Sequence, residues 1–183
     1  MQRTINPVSD LTTLPEPSPT IEIVISRGQG TGGTTLSAFD AALAEAGIAN
    51  LNLLCLSSVI PPRARVRRGS GAEALAAFPD VDWGDRLYCV LAESRADQPG
   101  QEAWAGIGWW QDDDGRGVFV EHHGHDEAEV TADVECSLRE CVTRRGRQLD
   151  QGRWQMEVNG ARCIDRPVCA LVVATYETQG WRC

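Results

Sequence analysis

"TTLSAFDAALAEAGIANLNLLCLSSVIPP", residues 34–62, carries a helix signal, a strand signal and a stop in one unbroken run. Leu36, Phe39, Leu43 and Ala46 recur at helical spacing, Thr34 or Thr35 can cap the start, and Gly47 can end the helix. "LNLLCL" (51–56) follows as a short apolar run of the kind that forms a buried strand. It ends in adjacent serines, Ser57 and Ser58, and the chain then meets Pro61-Pro62. Serines at a strand end ordinarily satisfy nearby backbone groups with their hydroxyls, so Ser-Ser alone carries little information.

Upstream, "IEIVIS" (21–26) is rich in β-branched residues and predicts a strand, and "RGQGTGGTT" (27–35) predicts a glycine-rich loop. That loop lacks both the Lys-Ser/Thr of a P-loop and the spacing of a dinucleotide fingerprint, so it predicts a flexible connection rather than a phosphate cradle. Residues 1–20, with Pro7, Pro15, Pro17 and Pro19, predict an irregular arm. Downstream, "RARVRRGSGAEALAAFPDVDWGD" (63–85) predicts a basic, flexible connection. "RLYCVLAES", "EAWAGIGWWQ", "RGVFVEH", "RWQMEVNG" and "VCALVVATYE" predict strands, the second and third pairing around the acidic turn "DDDG". "DEAEVTADVECSLRECVTRRG" (126–146) predicts a second helix with Val130, Val134, Leu138, Cys141 and Val142 on one face. Many strands and two substantial helices give a sheet-rich α+β domain, two packed sheets with a helix on each outer side.

At 183 residues and 42% hydrophobic content the chain suits a single core. A formal net charge of −9 argues against nucleic acid as a partner, and Trp104, Trp109 and Trp110 have no interleaved basic residues for base stacking. The first twenty residues lack a secretory pattern and no segment is long and apolar enough for a membrane span, so the expectation is a cytoplasmic protein. Seven cysteines without a CxxC pair suggest neither a disulfide framework nor a zinc knuckle.

Residues 34–62 resemble the pyruvoyl-dependent arginine decarboxylases, in which a helix carrying Phe-Asp leads through Ala-Gly-Ile to an Asn-x-Asn strand and a Ser-Ser pair before Pro-Pro. "INP" near the N-terminus and "VEHHG" near the middle extend the resemblance more loosely. It implies a single-domain four-layer α/β/β/α sandwich that cleaves itself between Ser57 and Ser58 into a β chain (1–57) and an α chain (58–183). Ser58 would become a covalent pyruvoyl cofactor, and its carbonyl would form a Schiff base with L-arginine, giving agmatine and carbon dioxide. The resemblance implies that Asn52 supports processing, Glu121 protonates the α-carbon, and Asp40 pairs with the guanidinium of the substrate. It also implies trimers, or dimers of trimers, with sites at subunit interfaces.

The sequence departs from that pattern in two places. Ala49 stands where the family tends to have glycine in a loop lining the substrate pocket, which leaves another basic amino acid open as substrate. "EHHGHD" collects His122, His123 and His125, with Asp126 beside them; adjacent strand residues face opposite sides, so the expectation is no metal site. Two competing readings are a non-catalytic homologue that keeps the fold and oligomer, and a metal-dependent hydrolase built on those histidines.

Overall fold

The computed structural model describes residues 21–150 and 152–181. The proline-rich arm, "INP" and Cys183 lie outside the described residues. The elements run β1 (Ile21–Thr31), α1 (Thr35–Glu45), β2 (Asn52–Cys55), β3 (Val59–Ile60), β4 (Ala64–Arg68), α2 (Gly71–Ala76), β5 (Arg86–Ala96), β6 (Glu102–Gln111), β7 (Gly117–Gly124), α3 (Glu127–Arg144), β8 (Trp154–Arg162) and β9 (Val168–Gln179). The strands form a five-stranded mixed sheet, β2-β5-β9-β1-β4, and a four-stranded antiparallel sheet, β3-β7-β6-β8.

Alternation along the strands separates three cores. Ile23, Ile25, Val90 and Val172 meet Ile107, Trp109 and Phe119 between the sheets. Leu87, Leu171 and Val173 meet α1 on the outer face of the first sheet, and Val118 and Val120 meet α3 on the outer face of the second. The result is the four-layer α/β/β/α sandwich expected from the resemblance, with α3 buried through Val130, Val134, Leu138 and Val142 as its spacing predicts. Buried Asn159 ties the sheets together, its amide donating to the carbonyls of Gly28 at 2.9 Å and Leu171 at 3.2 Å.

Four local expectations fail. The glycine-rich segment is no loop: Arg27–Thr31 continue β1 along β9. A Cβ on Gly28 would run into the carbonyl oxygen of Ala42, and one on Gly30 into that of Ala38. The glycines therefore remove bulk so that α1 can lie against the strand. For the same reason α1 turns its small residues inward, burying Ala38, Ala42 and Ala46 with Leu43, while Leu36 is 68% exposed. The basic connection contains β4, which pairs with β1, and α2, whose start is capped by a reciprocal Ser70–Glu73 box. Finally, β2 is an edge strand paired only with β5, and it leaves Leu54 and Cys55 exposed.

Candidate active site

Leaving β2 at the edge of one sheet, the chain enters β3 at the edge of the other, and Ser57-Ser58 is the crossover. Both sides of the crossover are pinned. The amide of Leu56 donates to the carbonyl of Cys89 in the first sheet, and the amide of Phe119 donates to the carbonyl of Ser58 in the second, each at 2.8 Å. Between these anchors Ser58 adopts a left-handed backbone with φ of 66°, which costs a residue with a Cβ about 1–2 kcal/mol. Strain held at one peptide by hydrogen bonds on either side is a mark of functional positions.

The Ser58 hydroxyl donates to the Glu121 carboxylate, 2.8 Å from Oε1 and 2.9 Å from Oε2. Glu121 reaches it because β3 is only two residues long and its pairing with β7 ends at Val59↔Val118, followed only by the Phe119–Ser58 bond. Tyr176 closes the inner side, its phenol donating to the carbonyl of Val59 at 3.1 Å. Burial, helped by the charge of Glu121, pushes the Tyr176 phenol well above its ordinary value and keeps it a proton donor. A cavity of about 360 Å³ opens in front of Ser57 and Ser58, between β7 and α3, and Glu121, His122, Ser137, Cys141 and Arg145 contribute to its walls. Glu121 is exposed, at the open edge of β7.

Other expected residues lie elsewhere. Asn52 sits at the start of β2 and donates to the carbonyl of Gly84. Asp40 is exposed on α1, which packs on the first sheet. Neither contributes to the walls of the Ser58 cavity. Ala49 lines a separate and larger cavity, about 530 Å³, with Leu51, Leu75 and Trp83, and no serine, cysteine or histidine lines it. The histidines diverge: His122 Nε2 meets the Ser137 hydroxyl at 2.8 Å, and His125 Nδ1 meets the carbonyl of Glu102 at 2.7 Å. Among the described residues no group of three His, Cys, Asp or Glu side chains is placed to hold a metal.

A model of the family described as pyruvoyl-dependent arginine decarboxylase matches residues 22–179, from β1 to the end of β9. The chain belongs to this family. Curated relatives carry the same description: the one from Thermoplasma volcanium is 37% identical over 114 residues, 61% of this chain and 59% of the relative. The one from Thermococcus kodakarensis is 34% identical over 147 residues, covering 78% and 85%. The one from Halobacterium salinarum is 39% identical over 99 residues, covering 54% and 58%. The matches thus span about 59% of the length of the first relatives. Membership in the family implies a covalently bound pyruvoyl group. The residues fit its formation: a serine hydroxyl in a strained crossover, next to a second serine, facing a carboxylate that can accept its proton.

Sequence reasoning alone did not single out Tyr176, Ser137 and Arg145. Tyr176 lies in an ordinary apolar strand pattern, and the two helix residues come to the cavity only through the packing of α3 on β7. No local signal distinguishes them.

Proposed function

We propose that this chain cleaves itself between Ser57 and Ser58 and then decarboxylates L-arginine to agmatine and carbon dioxide. The observation that carries the reading is the Ser58 hydroxyl held at 2.8 Å from Glu121 on a left-handed backbone. Glu121 takes the hydroxyl proton as Oγ attacks the carbonyl carbon of Ser57 and passes it to the nitrogen of residue 58 as the C–N bond breaks, so that the peptide becomes an ester with a free amine. Loss of the Ser58 α-proton expels the Ser57 carboxylate by β-elimination, leaving dehydroalanine at the new N-terminus. Water hydrolyses it, releasing ammonia and leaving a pyruvoyl group on the chain beginning at residue 58. Release of strain at Ser58 favours the cut.

When formed, that group supplies a carbonyl that condenses with an α-amine and takes up the electrons left when carbon dioxide departs. The other chemistry belongs to side chains. Glu121, beside the reacting carbon, returns a proton to it. Asp40 accepts paired charge-assisted hydrogen bonds from the guanidinium. Asn52 supports processing as a neutral amide donor. Asp40 and Asn52 both sit on exposed surface, away from the Ser58 cavity of their own chain, so they act across a subunit interface in a trimer or a dimer of trimers. Exposed Leu54 and Val59 beside the crossover, 38% and 55% accessible, favour such an interface. Six free cysteines among the described residues suit a reducing, cytoplasmic setting, and no described helix is long and apolar enough to cross a membrane.

The test is the intact mass of the purified, denatured protein, followed by carbon dioxide release from arginine, lysine and ornithine. Two chains, 1–57 and a pyruvoyl-blocked 58–183, with release from arginine alone are expected. A single chain of 19.9 kDa that stays whole under every condition would instead point to a non-catalytic homologue.

A further inference from the structure

We infer that Arg145, at the C-terminal end of α3, binds the α-carboxylate of the substrate; this deepens the function proposed above and rests on it. The cavity in front of Ser58 is walled partly by the apolar side chains of Val118, Val120 and Cys141. Its one acid, Glu121, is engaged by the Ser58 hydroxyl, and His122 is engaged by Ser137. Arg145 is the permanent cation there. Its guanidinium donates to the carbonyl of Cys141 at 2.9 Å through one nitrogen, and no described carboxylate lies within ion-pair distance of it. The acid on its other side, Asp112, is paired with Arg147 and lies near Arg153. An arginine without a carboxylate partner, on a cavity wall beside the residue that becomes the reactive carbonyl, is matched by an anionic group of the ligand.

An α-amino acid whose amine is directed at residue 58 carries its carboxylate one carbon away, so the anion falls within the cavity that Arg145 lines. The same charge repels the guanidinium at the other end of the substrate and sends it outward, toward an acid of a neighbouring protomer. One cation thereby fixes both which end of arginine enters and which bond at the α-carbon faces the electron sink. The pair is lost as the carboxylate becomes neutral carbon dioxide, so it strengthens substrate binding rather than the transition state.

The experiment uses the processed protein and two guanidinium compounds that lack an amine and cannot react: 5-guanidinopentanoate, which has the carboxylate, and butylguanidine, which does not. Calorimetry of Arg145→Gln is expected to give at least tenfold weaker binding of 5-guanidinopentanoate, with butylguanidine within twofold of wild type and partial recovery in Arg145→Lys. In turnover, Arg145→Gln is expected to raise KM for arginine while kcat stays within threefold. Equal weakening of both compounds would mean that Arg145 only supports the end of α3, and unchanged binding of both would mean that it faces no substrate; either overturns the inference. A wild-type protein that binds neither compound and releases no carbon dioxide overturns the proposed function itself, and is told apart by failing before any substitution is made.

Discussion

Ser58 and Glu121, 63 residues apart in the chain, meet through a hydroxyl that touches both carboxylate oxygens, at 2.8 and 2.9 Å. The contact exists because a two-residue edge strand, β3, stops short and leaves the end of β7 uncovered. A longer β3 would cover the edge of β7 that Glu121 occupies.

That geometry predicts a graded response at residue 58. Ser58→Ala has no hydroxyl and should yield only the uncut 19.9 kDa chain by mass spectrometry. Ser58→Thr keeps the hydroxyl but places a β-branched residue at φ of 66°, where such side chains are rarely tolerated. The reactive left-handed conformation is then less populated, and cleavage, followed by mass against time, should be slower by about tenfold for each 1.4 kcal/mol by which that conformation rises above the relaxed one. Cleavage at the wild-type rate would remove the backbone conformation from the mechanism.

Glu121→Gln retains a hydrogen-bonding partner for Ser58 but no carboxyl group to exchange a proton. Turnover of arginine by whatever fraction still matures should fall by about 10²–10⁴-fold. Counting pyruvoyl-blocked chains by mass separates slow maturation from slow turnover, and full activity per matured chain would exclude Glu121 as the proton donor.

Shared sites can be counted. Asp40→Ala and Ser58→Ala should each be inactive alone, yet equal co-expression of the two should restore about one quarter of wild-type turnover, because only interfaces pairing an intact Ser58 with a neighbour's intact Asp40 work. No recovery in verified mixed oligomers would place both residues in one protomer's site.

In the α1 seat, Gly30→Ala should destabilise the protein by about 1–3 kcal/mol, because the new methyl meets the backbone of α1 rather than a movable side chain. Gly33→Ala controls for loss of a glycine where the backbone is not left-handed and nothing lies within reach of a Cβ. A thermal midpoint for Gly30→Ala equal to wild type would mean that α1 can lift away at no cost.

Alkaline pH should weaken the fold. Burial pushes the thiol of Cys89, beside Cys55, up to about 12 from an ordinary 9.0, and burial likewise raises that of Cys169 to about 12. The native state thus holds these protons more tightly than the unfolded chain does. Their contribution is complete below pH 9 and is lost as pH climbs from there toward about 12. Urea midpoints between pH 8 and 11 should decline, less steeply in Cys89→Ala; a flat wild-type profile would refute the assignment.

What the sequence made legible follows from what each signal measures. Near-continuous apolar runs such as "EAWAGIGWWQ" and the 3.6-residue stripe of α3 report burial directly, and both elements lie where they were expected. Glycine reports only the absence of a side chain, and Gly28 and Gly30 serve a close helix rather than a bend. The edge strand β4 escaped notice because Arg65, Arg67 and Arg68 make up most of its five residues and its partner, β1, lies some forty residues earlier in the parallel direction. At the site, the resemblance named Ser57, Ser58 and Glu121, which the fold brings together, and Asp40 and Asn52, which it does not bring to them within one chain.

The crossover at Ser57-Ser58 also decides what a cut would do to the molecule afterwards. β2 and β3 bond to β5 and β7 rather than to each other, so severing the link removes no rung of either ladder. The shorter piece stays, because its strand β1 is threaded between β9 and β4 in the middle of a sheet. Once denatured, however, two separate molecules must find one another again, and recovery becomes second order and dependent on dilution. An uncut chain can refold alone at any concentration; a matured one carries a record of having been folded once, and erasing that fold is far easier than rebuilding it.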